Sequence, residues 1–191
     1  MYHVISRGNR QEPIFLEDRD RRRFLGMLES VVLRFEWQCL TYCLMDNHFH
    51  LLVETPKPNL SRGMQRLKGT YGRYFNDRYG LVGHLFQGRF SSPLVTGEEY
   101  QLEVARYIVR NPVRAGIVGA PDDYVWSSYR ATVGLAPAPS FLAVSRLLET
   151  YGGGWVGRAR FKAFVDDAAG DEPSAGDMSL GLTPVVAAAA K

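Results

Sequence analysis

Two apolar, aromatic-rich runs, Trp37 to Leu44 and His48 to Glu54, flank Met45-Asp46-Asn47, a segment with turn chemistry. Such a pair reads as a β-hairpin, and Pro56 and Pro58 end it. The hairpin constrains everything around it. Tyr2 to Ser6 reads as a strand and Arg7-Gly8-Asn9-Arg10 as a turn. Phe24, Leu28, Val31, Val32 and Phe35 recur at helical spacing, so Glu17 to Phe35 is a predicted helix. A second helix, capped by Asn59 or Ser61, runs to about Tyr79, before Gly80. Gly83 to Val95 is irregular and then strand-like. Gly97 to Asn111 is helical, and Pro112 disfavours helical geometry at Asn111, so this helix is expected to stop there. The order β-α-β-β-α-β-α predicts an α+β fold, a ferredoxin-like antiparallel sheet with helices on one face.

A chain of 191 residues is long enough for one core with a small appendage. The character changes after Trp126-Ser127-Ser128-Tyr129. We expect a main domain over 1–130, then a small helical C-terminal appendage over 131–168, with short helices at Ser140 to Thr150 and Trp155 to Asp167. The Gly-, Ala-, Pro- and acid-rich residues 169–191 are expected to be disordered. No apolar run reaches the ~18 residues needed to cross a bilayer, and the N-terminus does not read as a secretory signal. Cys39 and Cys43 lie four apart in a strand, roughly 13 Å between Cα atoms, beyond disulfide reach. They are expected to be buried thiols of a cytoplasmic protein.

The net charge of +3 hides an uneven distribution. From Lys57 to Arg114 ten basic residues stand against four acidic ones, whereas from Ala163 onward five acids face Lys191 alone. Arginine-rich, aromatic-rich sequence suits phosphate partners, because the guanidinium fork bonds phosphate oxygens and stacks on bases. A solvated face is the competing explanation.

His48-Phe49-His50 is the sharpest chemical feature. In a strand, residues i and i+2 share a face, so both imidazoles project together while Phe49, Leu51 and Val53 enter the opposite layer. Paired histidines on a sheet can hold a divalent metal, or can simply be hydrogen-bonded to neighbours. On the third helix Tyr107 and Asn111 are i and i+4 and share a face, with Glu103 one turn earlier.

Three motifs, Met45-Asp46-Asn47-His48-Phe49-His50-Leu51-Leu52, Gly83-His84-Leu85-Phe86-Gln87-Gly88-Arg89-Phe90 and Tyr107-Ile108-Val109-Arg110-Asn111-Pro112-Val113-Arg114-Ala115-Gly116, together resemble the REP-associated tyrosine transposases. These are relatives of the single-tyrosine insertion-sequence transposases within the His-hydrophobic-His (HUH) endonucleases. The resemblance covers about Tyr2 to Arg130. It implies the HUH endonuclease fold, with His48 and His50 as metal ligands, Asn111 at the third ligand position and Tyr107 as the catalytic nucleophile. The implied cofactor is Mg²⁺, with Mn²⁺ as a substitute. The implied partner is single-stranded DNA folded into imperfect palindromic hairpins, cleaved through a 5′-phosphotyrosine intermediate, in a nucleoid-associated monomer or homodimer. Asp46 departs from the family, where many relatives have Pro.

Candidate DNA-binding residues are Arg7, Arg10, Arg62, Arg66, Lys68, Arg73, His84, Arg89 and Arg110. His84 and Arg89 suit either DNA contact or a local structural lock. Tyr71, Tyr74 and Phe75 are expected to pack rather than stack bases, and Arg158, Arg160 and Lys162 suit DNA contact or packing equally. The leading reading is a DNA nicking and strand-transfer enzyme. The alternatives are a domesticated hairpin-binding protein without transposition activity, and a hydrolase of small phosphoesters, which would leave the basic middle without a purpose.

Overall fold

The computed structural model describes residues 1–167. Three strands, β1 (Tyr2–Arg7), β2 (Gln38–Leu44) and β3 (His48–Glu54), form an antiparallel sheet in the order β1-β3-β2. Its helices are α1 (Asp18–Phe35), α2 (Leu60–Tyr79), α3 (Glu98–Arg114), α4 (Tyr129–Thr132), α5 (Val144–Glu149) and α6 (Gly154–Asp166). The α+β class, the hairpin and its two strands match the expectation. The disorder expected from residue 169 onward lies outside the described residues.

The strand-like stretch before Val95 runs antiparallel along the free edge of β1 as isolated bridges, Gly8 with Phe86, Ile5 with Ser91 and Tyr2 with Leu94. Pro93 and the left-handed Gly88 (φ 58°) break its ladder into pieces. It still protects the edge: Ile5 N–H donates to Ser91 O and Ser91 N–H to Ile5 O, each at 2.9 Å. The outer edge of β2 is covered from the C-terminal side, where Leu44 N–H donates to Trp126 O and Ala143 N–H to Cys39 O.

Helix placement differs from the expectation in one respect: helices cover both faces of the sheet. Every residue from His48 to Val53 is buried, so neither side of β3 can face water. The Phe49 face takes α1 and α2; Phe24 of α1 meets Phe49 at 4.8 Å between ring centroids and Tyr71 of α2 at 5.2 Å. The histidine face takes α3, which buries Val104, Ala105, Ile108 and Val109. Burying each of the valine and isoleucine side chains contributes about 1.5–3 kcal/mol.

Helix α1 starts at a reciprocal capping box between Glu17 and Asp20. Helix α2 ends at Gly80, whose φ of 63° requires glycine-like freedom. Helix α3 does not stop at Asn111: it runs through Pro112 to Arg114. Pro112 costs one N–H, but it sits in the last turn, where Ala115 N–H donates to Asn111 O and Ile117 N–H to Pro112 O, closing the end. Helices α5 and α6 pack on β2 and α3, and their Leu147, Leu148, Phe161 and Val165 join the same apolar cluster as the sheet. Cys39 and Cys43 are free and buried, and burial pushes the Cys39 thiol up to about 12.

Candidate functional site

The strand period delivers both imidazoles to the face beneath α3. His48 and His50 are 8% and 1% exposed, with ring centroids 4.9 Å apart. Helix α3 lies over them: the Tyr107 ring is 5.7 Å from His50 and edge-on to it. Asn111, one turn along, lies beside the His48 side chain. The structure therefore brings together Tyr107, His48, His50 and Asn111 from two separate elements.

Each histidine is held by its Nδ1. His48 Nδ1 lies 2.7 Å from Asn47 Oδ1. The Asn47 amide is oriented by its own Nδ2–H, which donates to Gln11 O at 2.9 Å. Its oxygen therefore faces His48, the His48 Nδ1 carries the proton, and Nε2 keeps its lone pair. His50 Nδ1 meets His3 Nε2 at 3.0 Å, and His50 Nε2 is a buried polar atom without a hydrogen-bond partner among the described residues. Desolvation by burial lowers His3 and His48 to about 4 each, with the Arg7 charge also acting on His48. Burial, the neighbouring His48 and His3, and the Arg7 and Arg114 charges push His50 well below the usual histidine value. All three imidazoles are neutral at pH 7, as ligation requires.

Among the described residues no group of three His, Cys, Asp or Glu side chains is arranged to hold a metal. The donors that could serve such an ion are instead two neutral imidazoles with the Asn111 amide. His50 Nε2, buried and unpartnered, fits an incoming ligand bond, and these donors fit a divalent ion that keeps open positions for water or phosphate oxygens.

Two residues at the site had no role in the sequence reading. Ile5 is the register partner of His50, which makes His3 its diagonal neighbour on the same face. The only sequence signal was the odd-position phase of His3 in a strand whose register was unknown. Arg114 places its guanidinium carbon 4.6 Å from the Tyr107 ring centroid.

The expected DNA contacts divide. Arg7 is opposite His48 in register, on the site face. Arg10 is exposed in a 3₁₀ turn. Arg62, Arg66 and Arg73 lie on α2, on the other side of the sheet, where with Arg34 of α1 they line a groove of ≈ 470 Å³. Among the described residues none of the four makes an ion pair or hydrogen bond. Lys68, Arg73 and His84 border an adjoining pocket of ≈ 290 Å³, with Lys68 Nζ donating to Gly88 O. His84 and Arg89 are exposed.

Arg110 requires correction. It is 7% exposed, and its Nη1 donates to Val165 O at 2.6 Å, so it fastens α6 to α3 and does not face DNA. Glu103, one turn before Tyr107 on α3, is paired with Arg106 at 2.6 Å. Arg158 donates to Ala131 O and Thr132 O and Lys162 to Asp166, which favours packing for that stretch. Tyr71 is fully buried and donates to Ile14 O, in line with a packing role.

The fold is thus an antiparallel α+β sheet carrying a His-x-His strand beneath a tyrosine-bearing helix. The chain belongs to the IS200-like transposases, whose sequence profile matches residues 1–111, from β1 through Asn111. Among solved structures it is similar to a REP-associated tyrosine transposase bound to a REP hairpin, with TM-score 0.57 and 19% identity over 74% of this chain and 83% of that one. It also matches a Deinococcus radiodurans R1 protein provisionally assigned as a transposase, with TM-score 0.42 and 18% identity over 51% of this chain and 80% of that one. No curated protein sequence matches it. Among the described residues no helix is long and apolar enough to cross a membrane.

Proposed function

We propose that this IS200-like transposase is a single-stranded DNA endonuclease and strand transferase that acts at imperfect palindromic hairpins, with Tyr107 as nucleophile. One observation carries the reading: Tyr107 and Asn111 of α3 come down on the His48–His50 pair, although β3 and α3 are far apart in sequence. A hydrolase using activated water would have no use for a tyrosine at that place.

His48, His50 and Asn111 would hold Mg²⁺, or Mn²⁺ in its place. When bound, the ion neutralises the oxygens of the scissile phosphate. Tyr107 Oη forms the new bond to phosphorus as the P–O3′ bond breaks, leaving a 5′-phosphotyrosine and a 3′-OH. The phenol gives up its proton and the departing 3′ oxygen takes one up, so the bond energy stays in the phosphotyrosine and a 3′-OH can reverse the step. The Arg114 guanidinium over the Tyr107 ring favours the developing phenolate. Arg7, on the same face as His48, supplies positive charge beside the phosphate. The unpaired arginines of the α1–α2 groove suit the backbone of the hairpin stem, held on the sheet's far side from the cleavage centre. The hairpin-bound neighbour supports that choice of ligand.

The test is incubation with labelled single-stranded hairpin DNA and Mg²⁺. A covalent protein–5′-DNA adduct is expected, absent from Tyr107→Phe and from EDTA-treated samples. Equal adduct yield from Tyr107→Phe would overturn the nucleophile assignment. Hairpin binding with no adduct under any condition would favour the domesticated binder.

A further inference from the structure

We propose that His3 is a positioning residue that fixes the tautomer of His50, leaving the His50 Nε2 lone pair available to the divalent ion. The inference rests on the metal reading above. Asn47 provides the comparison: its amide oxygen, fixed by the bond from its Nδ2 to Gln11 O, forces the proton of His48 onto Nδ1. His3 does for His50 what Asn47 does for His48. Its Nε2 sits 3.0 Å from His50 Nδ1, in a bond buried from solvent. Two neutral imidazoles share one proton in such a bond, so only two arrangements exist. Either His50 Nδ1–H donates and His50 Nε2 is a bare lone pair, or His3 Nε2–H donates and His50 Nε2 carries a proton. In the second case that N–H is buried with nothing to receive it, because His50 Nε2 has no partner among the described residues. A buried unpaired N–H is the costlier alternative, so the first arrangement prevails and His3 carries its proton on Nδ1.

Geometry holds the acceptor in place. The His3 ring lies edge to edge with His50, centroids 5.3 Å apart and planes 28° apart, and meets the Tyr107 ring edge-on at 5.9 Å. Its backbone N–H is tied to Pro93 O at 3.1 Å, so the covering strand at the β1 edge anchors the residue that aims His50. Ligating histidines characteristically pass their second ring N–H to such a partner, and its loss weakens metal binding roughly 10- to 100-fold.

Two measurements on the full chain test this. In the metal-free wild type, long-range ¹H–¹⁵N spectra of the imidazoles should show His50 protonated at Nδ1; an Nε2–H tautomer would overturn the proposal. Mn²⁺ titration followed by EPR should show His3→Phe binding about 10- to 100-fold more weakly than wild type. His3→Gln, whose side-chain oxygen can accept the same proton, should recover most of the affinity. Circular dichroism and hairpin-DNA binding should be unchanged in both. Undiminished Mn²⁺ affinity in a folded His3→Phe would refute the role. If His3→Phe does not fold, the wild-type tautomer decides. Failure of the metal reading looks different: wild type and His50→Ala would then bind Mn²⁺ equally weakly, while the tautomer is read without metal.

Discussion

Arg66 and Arg110 belong to the same basic stretch of sequence, but the structure gives them opposite work, and this can be measured. The perturbations are the triple replacement Arg62→Ala, Arg66→Ala, Arg73→Ala and the single replacement Arg110→Ala. The three groove arginines have no hydrogen-bond or ion-pair partner among the described residues, so their loss should leave thermal stability nearly unchanged. If each neutralises one stem phosphate, the slope of log K against log salt falls by about 2.7 for the triple variant. Between 50 and 200 mM salt the wild type should then lose about 40-fold more affinity than the variant. Arg110 is buried and donates a charge-assisted bond to Val165 O at 2.6 Å. Its truncation should cost about 2 kcal/mol, or a Tm lowered by ~4–8 °C for a chain of this size. The salt slope should not move. The assay is fluorescence anisotropy of a labelled hairpin across a salt series, beside a thermal melt of each protein. A triple variant with the wild-type slope, or an Arg110→Ala whose slope falls by about one while its Tm holds, would refute the division.

Two further predictions concern the scaffold. A Cβ on Gly63 would lie 2.1 Å from Trp37 Cζ2, and the indole cannot swing away without breaking its 2.7 Å bond to Asn59. Gly63→Ala should therefore destabilise by about 2 kcal/mol despite its better helix propensity, whereas Gly69→Ala on the same helix meets nothing within 4 Å and should stabilise by up to ~1 kcal/mol; urea melts of both decide. Burial alone would raise the Asp20 carboxyl, but hydrogen bonds from Tyr79, the Glu17 and Leu16 amides and Tyr74 outweigh it and hold the group below its ordinary value. A depressed native value means stabilisation that is complete above about pH 4 and lost as pH falls through the native value, so Asp20→Asn should be less stable at pH 7 and show a flatter acid limb in pH-dependent melts.

Much of the site was legible because it depends on backbone period alone. A strand puts His48 and His50 on one face, and a helix puts Tyr107 and Asn111 on one face, wherever those elements end up. The buried sequence of β3 also held the sign that helices cover both sides, since a strand apolar at Phe49, Leu51, Leu52 and Val53 exposes neither. The end of α3 was misread because Pro112 breaks helices only where its missing N–H is needed, and the last turn has other donors to close it.

Short-range facts could be read from the residues alone: the hairpin, the elements around it, and which side chains share a face. Which of those faces meet depended on long-range packing. Register across β1 and β3 brought His3 to His50 over 47 residues of chain. The packing of α3 on one side and α2 on the other split one run of arginines into a free groove, a stacked Arg114 and a buried Arg110. Charge counted along a chain is blind to that division, because a guanidinium's role is set by the burial and partners that long-range packing provides.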